Sequence, residues 1–169
     1  MKTSDQGIEL IKSLEVCSLK AYPDAGGYSV GYGHYGVEPG LIITQDEAEE
    51  LLRGDLYTAE RAVERYCAGL NQAQFDALVS LCYNIGSGNF AGSTVVRLIR
   101  EGGPQPRAEL RTAWQLWNKS RGKVLDSLVR RRNREYDHYC QNDVLKKKLI
   151  LAAAVLLSTA AIAAALSRR

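Results

Sequence analysis

The sequence predicts an α+β fold, with a small antiparallel β-sheet lobe near the N-terminus and a larger helical lobe behind it. Its 169 residues, 46% of them hydrophobic and 24% charged, suffice for one domain with a sizeable core and exclude a disordered chain. Six glycines punctuate Tyr and Val residues between positions 20 and 43, a pattern typical of short strands joined by tight turns. From position 44 onward, helix-capping signals and apolar residues at helical spacing recur instead.

The first and second helices are predicted from their capping signals. Thr3 and Gln6 form a capping-box pair before apolar residues at helical spacing, and this first helix is expected to end near Glu15. Thr44 and Glu47 repeat the signal after the sheet segment. We therefore expect a helix on each side of the predicted sheet, the second one running to about residue 67.

The remaining elements of the body are predicted to be helical. Asn71 with Gln74 opens a core helix that Gly86 closes, and Ser93 opens the next. A Gly-Gly-Pro break separates that helix from its successor. The predicted helices after the second one span about 71–85, 93–101, 107–117 and 125–141.

The C-terminal tail differs in composition from the body. Residues 149–166 carry no charged side chain, and they are flanked by three lysines at 146–148 and two arginines at 168–169. As a helix this run is about 27 Å long, just enough to cross a hydrocarbon core of ~30 Å. The sequence predicts a body at 1–145 and a transmembrane segment within 146–169. The alternative that it leaves open is an alanine-rich helix packed on the body.

The body carries slightly more acidic than basic side chains. Five of the 22 basic residues lie in the tail, which has no acidic residue, so 17 basic and 19 acidic side chains remain in 1–145. Binding to nucleic acid needs a basic surface on the folded domain. We therefore expect no nucleic-acid partner. The N-terminus lacks the apolar segment of a secretory signal, so none is expected there.

Two carboxyl groups near the first turn-rich segment are candidates for catalysis. Glu15 follows Ile8 by seven residues and Ile11 by four, so the helix that buries those two also directs Glu15 inward. Asp24 lies in a Pro-Asp-Ala-Gly-Gly turn that exposes its carboxylate to water. Cleavage of a glycosidic bond uses two carboxyls in such opposed environments, one as an acid and one ionised. A helix-end charge and a turn-capping aspartate remain the simpler interpretation of spacing alone.

The motifs around these residues resemble those of the phage-type lysozymes, the endolysin muramidases that cut bacterial peptidoglycan. The resemblance extends over about residues 7–140 and leaves only the tail unmatched. Its first block contains both carboxyls, its second coincides with the predicted core helix, and its third is rich in arginine. The matching segments are LE at 14–15, LKAYPD at 19–24, SVGYGH at 29–34, LNQAQFDALVSL at 70–81, YNIG at 83–86, WNK at 117–119, GKVL at 122–125 and LVRRR at 128–132.

The resemblance implies a role for each catalytic position. Glu15 is implied to be the general acid that protonates the glycosidic oxygen, and Asp24 the second carboxylate. Ser29 stands near the family's threonine, whose hydroxyl orients water, but it follows Asp24 by five residues where the family has six. The usual outcome in the family is inversion at the anomeric carbon. Neither a metal nor a cofactor is implied, and no His/Cys cluster has zinc-ligand spacing.

Four further residues are expected to support the site or bind substrate. Tyr32 and His34 lie in the Gly-Tyr-Gly-His run, and in the family this histidine is mainly a structural ion-pair partner. Arg131 is expected to pair with Glu15, as the family's arginine does. Asn84 resembles a family position near the sugar, but a role in capping the core helix is equally compatible with the sequence.

The four cysteines allow three complete disulfide pairings. Cys67 and Cys140 lie where some relatives in the family also carry cysteine. They are the predicted disulfide if the body reaches an oxidising compartment.

The resemblance thus implies an endolysin muramidase that hydrolyses the β-1,4 bond between N-acetylmuramic acid and N-acetylglucosamine and lyses the host cell. The tail predicts attachment to the host membrane, with the body acting on the wall from the periplasmic side and a holin as a partner for wall access. Three lysines before the run and two arginines after it favour a cytoplasmic body instead, so topology stays open. The alternatives are a tethered, non-catalytic peptidoglycan-binding module and a lysozyme fused to a holin-like helix.

Overall fold

A computed structural model describes residues 1–142 and Leu149 of the chain. The predicted transmembrane run at 149–166 therefore lies, apart from its first residue, outside the described residues, as does the boundary at 145. In the described part of the chain, no helix is both long enough and apolar enough to span a membrane.

The first helix, α1 (Asp5–Lys12), begins one residue later than the capping signal predicts. Ser4, not Thr3, is the N-cap, and its side chain accepts a hydrogen bond from the backbone of Gly7. Thr3 does not cap the helix, because its backbone N–H and its hydroxyl both donate to Glu60, at 2.8 Å each. The helix ends at Lys12, but the backbone continues in a turn that carries the next residues to the site.

The predicted small sheet is present and antiparallel, with strand order β1 (Ser18–Asp24), β2 (Gly27–Gly31) and β3 (His34–Tyr35). A two-residue turn joins β1 to β2, and Ala25 and Gly26 both have positive φ, at 46° and 88°. Positive φ at both central residues is the signature of the tight hairpin turn that matches strand twist. The turn leaves Asp24 paired with Gly27 at the tip of the hairpin.

Two long helices follow the sheet, and both begin where the capping boxes predict. The N-cap of α2 (Gln45–Tyr66) is Thr44, and that of α3 (Gln72–Ile85) is Asn71. Ten of the 14 residues of α3 are buried, which makes it the central helix of the core. It ends at Gly86, whose φ of 84° terminates the helix.

The described elements after α3 complete the helical lobe. Helix α3 is followed by α4 (Ser87–Ala91), α5 (Thr94–Gly102), α6 (Ala108–Gln115) and α7 (Asp126–Tyr139). Between α6 and α7 lies a hairpin that the sequence analysis missed, formed by β4 (Lys119–Ser120) and β5 (Lys123–Val124). Its turn residues, Arg121 and Gly122, have φ of 49° and 79°. Helix α3 packs against α1, α2, α4 and α7, so α7 brings its arginines next to the end of α1.

Candidate active site

Glu15 lies just beyond the end of α1. Its backbone N–H donates to the carbonyl of Ile11 at 3.0 Å, which holds this residue in the turn that follows the helix. Its side chain is 22% exposed, so the carboxyl group is directed inward but still reaches solvent. Oε1 of Glu15 lies 2.7 Å from Nη2 of Arg131 on α7, so the expected ion pair is present. At this distance the two opposite charges attract each other, although Nη2 of Arg131 does not have the geometry of a hydrogen bond.

Asp24 and Ser29 face each other across the β1–β2 hairpin. The Ser29 hydroxyl donates to Oδ2 of Asp24 at 2.8 Å. Asp24 is exposed at the hairpin tip, whereas Ser29 is completely buried. The structure therefore combines an exposed carboxylate with a buried hydroxyl that restrains it. Glu15, which precedes Asp24 in the same motif, is instead paired with Arg131 on α7.

Tyr32 and Tyr83 connect the sheet to the helical lobe. The buried Tyr32 accepts a hydrogen bond from Gln45 on its hydroxyl oxygen, at 2.8 Å, and its carbonyl accepts one from the Tyr83 hydroxyl at 3.1 Å. Burial raises the pKa of Tyr83, which also lies in the electrostatic field of Asp55 and Glu15. Both phenols are therefore neutral donors or acceptors at neutral pH. Tyr32 supports the sheet in this structure through contacts with α2 and α3.

His34 lies against the carboxyl group of Asp55. Its Nδ1 lies 2.9 Å from Oδ1 and 3.1 Å from Oδ2 of that residue. Asp55 lies on α2, so this pair links β3 to the helix that packs on the sheet. The structural role that the family resemblance implies for His34 stays a prediction.

Asn84 contacts an arginine that the sequence analysis did not select. Its Oδ1 accepts a hydrogen bond from Nη2 of Arg132 at 2.9 Å. Arg132 is completely buried, and it also donates to Glu135 at 3.0 Å. Glu135 was not among the predicted site residues, although its spacing of four residues from Arg131 on one helix predicts an ion pair. These contacts join the last turn of α3 to the middle of α7.

All four cysteines are thiols in the structure. Cys67 follows the end of α2 and Cys140 follows the end of α7. Burial raises the pKa of the Cys67 thiol to about 12, so it is protonated at neutral pH. The bridge between Cys67 and Cys140 stays a prediction. Within the described part of the chain, no group of three or more His, Cys, Asp or Glu side chains is arranged to hold a metal ion.

The small sheet and the helical lobe, with the Glu15 turn and the Asp24 hairpin as in the family motif, define a lysozyme-like fold. The chain belongs to the phage lysozyme family, whose profile matches residues 12–135. It is 44% identical over 142 residues to the endolysin of Bacillus phage PZA, a match that covers 80% of this chain and 54% of the relative. It is 42% identical over 143 residues to the endolysin of Salmonella phage P22, covering 80% of this chain and 95% of the relative. The chain thus spans about half the length of the Bacillus phage relatives that it matches.

Solved structures give the same result. The muramidase domain of SpmX from Asticaccaulis excentricus superimposes with a TM-score of 0.75 at 38% identity, covering 82% of this chain and 97% of that one. The prediction of a lysozyme-like α+β fold is therefore confirmed.

A further relative, from Bacteriophage PS119, is described as a SAR-endolysin and is 34% identical over 128 residues, which cover 73% of this chain and 75% of the relative.

Proposed function

We propose that this protein is a phage endolysin that hydrolyses the β-1,4 bond between N-acetylmuramic acid and N-acetylglucosamine in bacterial peptidoglycan. The observation that carries the proposal is the contrast between Glu15, half-buried and paired with Arg131, and Asp24, exposed and restrained by Ser29. Glycosidic cleavage needs one carboxyl that delivers a proton and one that stays ionised. Family membership and the endolysins of phages PZA and P22 support the same class of reaction.

In the proposed reaction, the bond between the anomeric carbon and the glycosidic oxygen breaks while Glu15 gives its proton to that oxygen. Arg131, 2.7 Å away, stabilises the carboxylate that this transfer leaves. Asp24 takes a proton from a water molecule, whose oxygen bonds to the anomeric carbon from the opposite face. Ser29 holds Asp24 in place through its hydrogen bond. This route inverts the anomeric configuration and uses neither metal nor cofactor.

Analysis of the products tests the proposal. Purified cell walls are digested with the protein, and the new reducing ends are reduced with borohydride and identified by mass spectrometry. We expect muramitol, because the proposed cut frees the muramic acid anomeric carbon. Glucosaminitol would assign a different bond, and binding to walls without release of any sugar would support the non-catalytic alternative. Proton NMR of the first products reports whether the anomer is inverted.

We further propose that residues 149–166 attach the protein to the host cell membrane and that 1–145 is the catalytic domain. The charge-free run between basic flanks supports this proposal, and so does the relative described as a SAR-endolysin. On this proposal the catalytic domain acts from the periplasmic side, and a holin assists access to the wall. Dye leakage from vesicles treated with a peptide of the tail alone distinguishes an anchor, which causes no leakage, from a holin-like permeabilising helix.

A further inference from the structure

Glu135 is a buried carboxylate that ties three helices together. It is completely buried on α7. Its Oε1 accepts hydrogen bonds from Ser80 of α3 at 2.9 Å and from Arg131 and Arg132 of α7 at 3.0 Å each. Its Oε2 accepts one from the indole N–H of Trp114 on α6, at 3.0 Å. A buried carboxylate stays ionised only when it is paired and hydrogen-bonded in this way.

Arg131 links this buried carboxylate to Glu15. Its Nε donates to Glu135, and its Nη2 lies 2.7 Å from Glu15. The guanidinium group is planar, so a partner that fixes Nε also fixes the direction in which Nη2 points. The Arg131 side chain is only 6% exposed and has little freedom to adopt another orientation. Glu135 thus determines where Arg131 presents its charge to Glu15.

The four charged groups in this cluster balance one another. When Glu15 is ionised, two carboxylates, Glu15 and Glu135, face two guanidinium groups, Arg131 and Arg132. Arg132 interacts electrostatically with Glu15 as well as with Glu135. From α3, Tyr83 also interacts with Glu15, but burial raises the pKa of its phenol, so it contributes no charge near neutral pH. Of these neighbours of Glu15, only the groups on α7 are therefore charged near neutral pH.

We propose that Glu135 is a positioning residue: it orients Arg131 against Glu15 and, together with Arg132, sets the pH range in which Glu15 carries a proton. This inference rests on the proposed role of Glu15 as the general acid. Without the negative charge of Glu135, Glu15 faces two uncompensated guanidinium groups and loses its proton at lower pH. Without the positive charge of Arg132, it faces one guanidinium and one carboxylate and keeps its proton to higher pH.

The test compares pH profiles of wall hydrolysis for variants of opposite charge. We expect Glu135→Gln to move the alkaline limb of the profile to lower pH, and Arg132→Gln to move it to higher pH, each by about 0.5 to 1 pH unit. Ser80→Ala is the matched control, since it removes one hydrogen bond to Glu135 without changing the charge. It should leave the limb unmoved, and Arg132→Lys, which restores the charge, should bring the limb back toward wild type.

A second measurement does not depend on hydrolysis. The titration of the Glu15 carboxyl is followed by ¹³C NMR, with the signal assigned by comparison with Glu15→Gln. Its midpoint should move down in Glu135→Gln and up in Arg132→Gln. Equal midpoints in the folded charge variants, or shifts in the same direction, would overturn the proposal. If Glu135→Gln does not fold, the proposal is tested by the titration midpoints of Glu15 in Arg132→Gln and Arg132→Lys, of which only the first should be raised. If the titration midpoints of Glu15 move as expected but Glu15→Gln still hydrolyses walls, only the general-acid role of Glu15 is refuted.

Discussion

The Ser29 hydroxyl donates a hydrogen bond to Oδ2 of Asp24 at 2.8 Å, across the tip of the first hairpin. Ser29 pairs with Tyr22 in the sheet register, and residues two apart on a strand share a face, so Asp24 lies diagonally opposite Ser29 on the same face. The shorter spacing between these two residues, five instead of six, is thus compatible with direct contact. Because Ser29 is completely buried, it acts on the site through Asp24.

Removing the Ser29 hydroxyl should weaken catalysis. Ser29→Ala leaves Asp24 without this donor, and a hydrogen bond to a charged group is worth about 1.5 to 3 kcal/mol, so we expect a rate loss of roughly tenfold or more. Ser29→Thr keeps the hydroxyl and should retain most of the activity. Initial rates of turbidity loss on purified walls give the comparison. A rate for Ser29→Ala close to wild type would show that the contact with Asp24 does not matter for the reaction.

Glu15→Gln should abolish wall hydrolysis and leave the fold intact. The amide has nearly the shape of the carboxyl but cannot deliver a proton, and general acid catalysis is typically worth 10²- to 10⁴-fold. Glu9→Gln is the matched control, because it replaces the same carboxyl by an amide on the exposed face of α1. Both purified variants are compared by circular dichroism and by rate. More than about a tenth of the wild-type rate in folded Glu15→Gln would remove it from the proposed role.

Asp76 should stabilise the fold at neutral pH and lose this effect in acid. It is 1% exposed, and burial alone would raise its pKa, but the facing His138 and hydrogen bonds from Ser4 and Gln72 outweigh burial and lower it. A carboxyl whose pKa is lower in the folded state stabilises the protein above its unfolded pKa, near 3.8. That stabilisation disappears as the pH falls through the folded pKa.

Urea denaturation at pH 7 and at pH 3 checks this expectation. Asp76→Asn should lower the free energy of unfolding at pH 7 by about 1 to 3 kcal/mol, and the difference from wild type should shrink at pH 3. Asp137→Asn, on the exposed side of α7, is the control and should have little effect at either pH. A difference for Asp76→Asn that stays constant between the two pH values would contradict the electrostatic explanation.

Local sequence signals predicted much of the fold. They failed where a side chain forms its hydrogen bonds with a residue that is distant in sequence. The capping boxes at Thr44 and Asn71 use partners three residues away, so the sequence contains the whole interaction. The first helix begins at Ser4 instead, because Thr3 donates to Glu60, which is 57 residues away. No local pattern reveals such a partner.

The candidate site shows the same division. Glu15, Asp24 and Arg131 were found because they occur in recognisable motifs, and Glu15 and Arg131 do pair. The local spacing pairs Glu135 with Arg131, but the contacts of Glu135 with Ser80 and Trp114 arise only from the packing of α3, α6 and α7, so its place behind the site was not predicted. The β4–β5 hairpin was missed because its strands have two residues each, too short for alternation to be seen.

Ala25 should limit stability at the hairpin tip. Its φ of 46° lies in the left-handed region, which costs an L-residue with a side chain roughly 1 kcal/mol or more relative to glycine. The side chain is exposed, so Ala25→Gly removes this cost without loss of packing. We expect a slightly higher melting temperature, measured by calorimetry. Ala91→Gly, at the last residue of α4, is the control and should lower it, because Ala91 has no positive φ to relieve and glycine adds backbone entropy to the unfolded chain. A fall in both variants would contradict the argument.

The last prediction is that residues 149–166 hold the protein in a membrane and that the body works without them. The run has 18 residues, near the minimum for spanning, and eight are alanine, so insertion is only modestly favourable. A charge at the centre of an inserted helix costs roughly 2.5 to 3.5 kcal/mol on the insertion scale. Leu157→Arg should therefore shift much of the protein from the membrane pellet to the supernatant, whereas Leu157→Ile should not. A chain that ends at Asp143 should be found entirely in the supernatant and still hydrolyse walls. If carbonate releases the full-length protein from the membrane, or if the truncated chain is unfolded, the anchor prediction is wrong. The alternative, a helix packed on the body, would then be favoured.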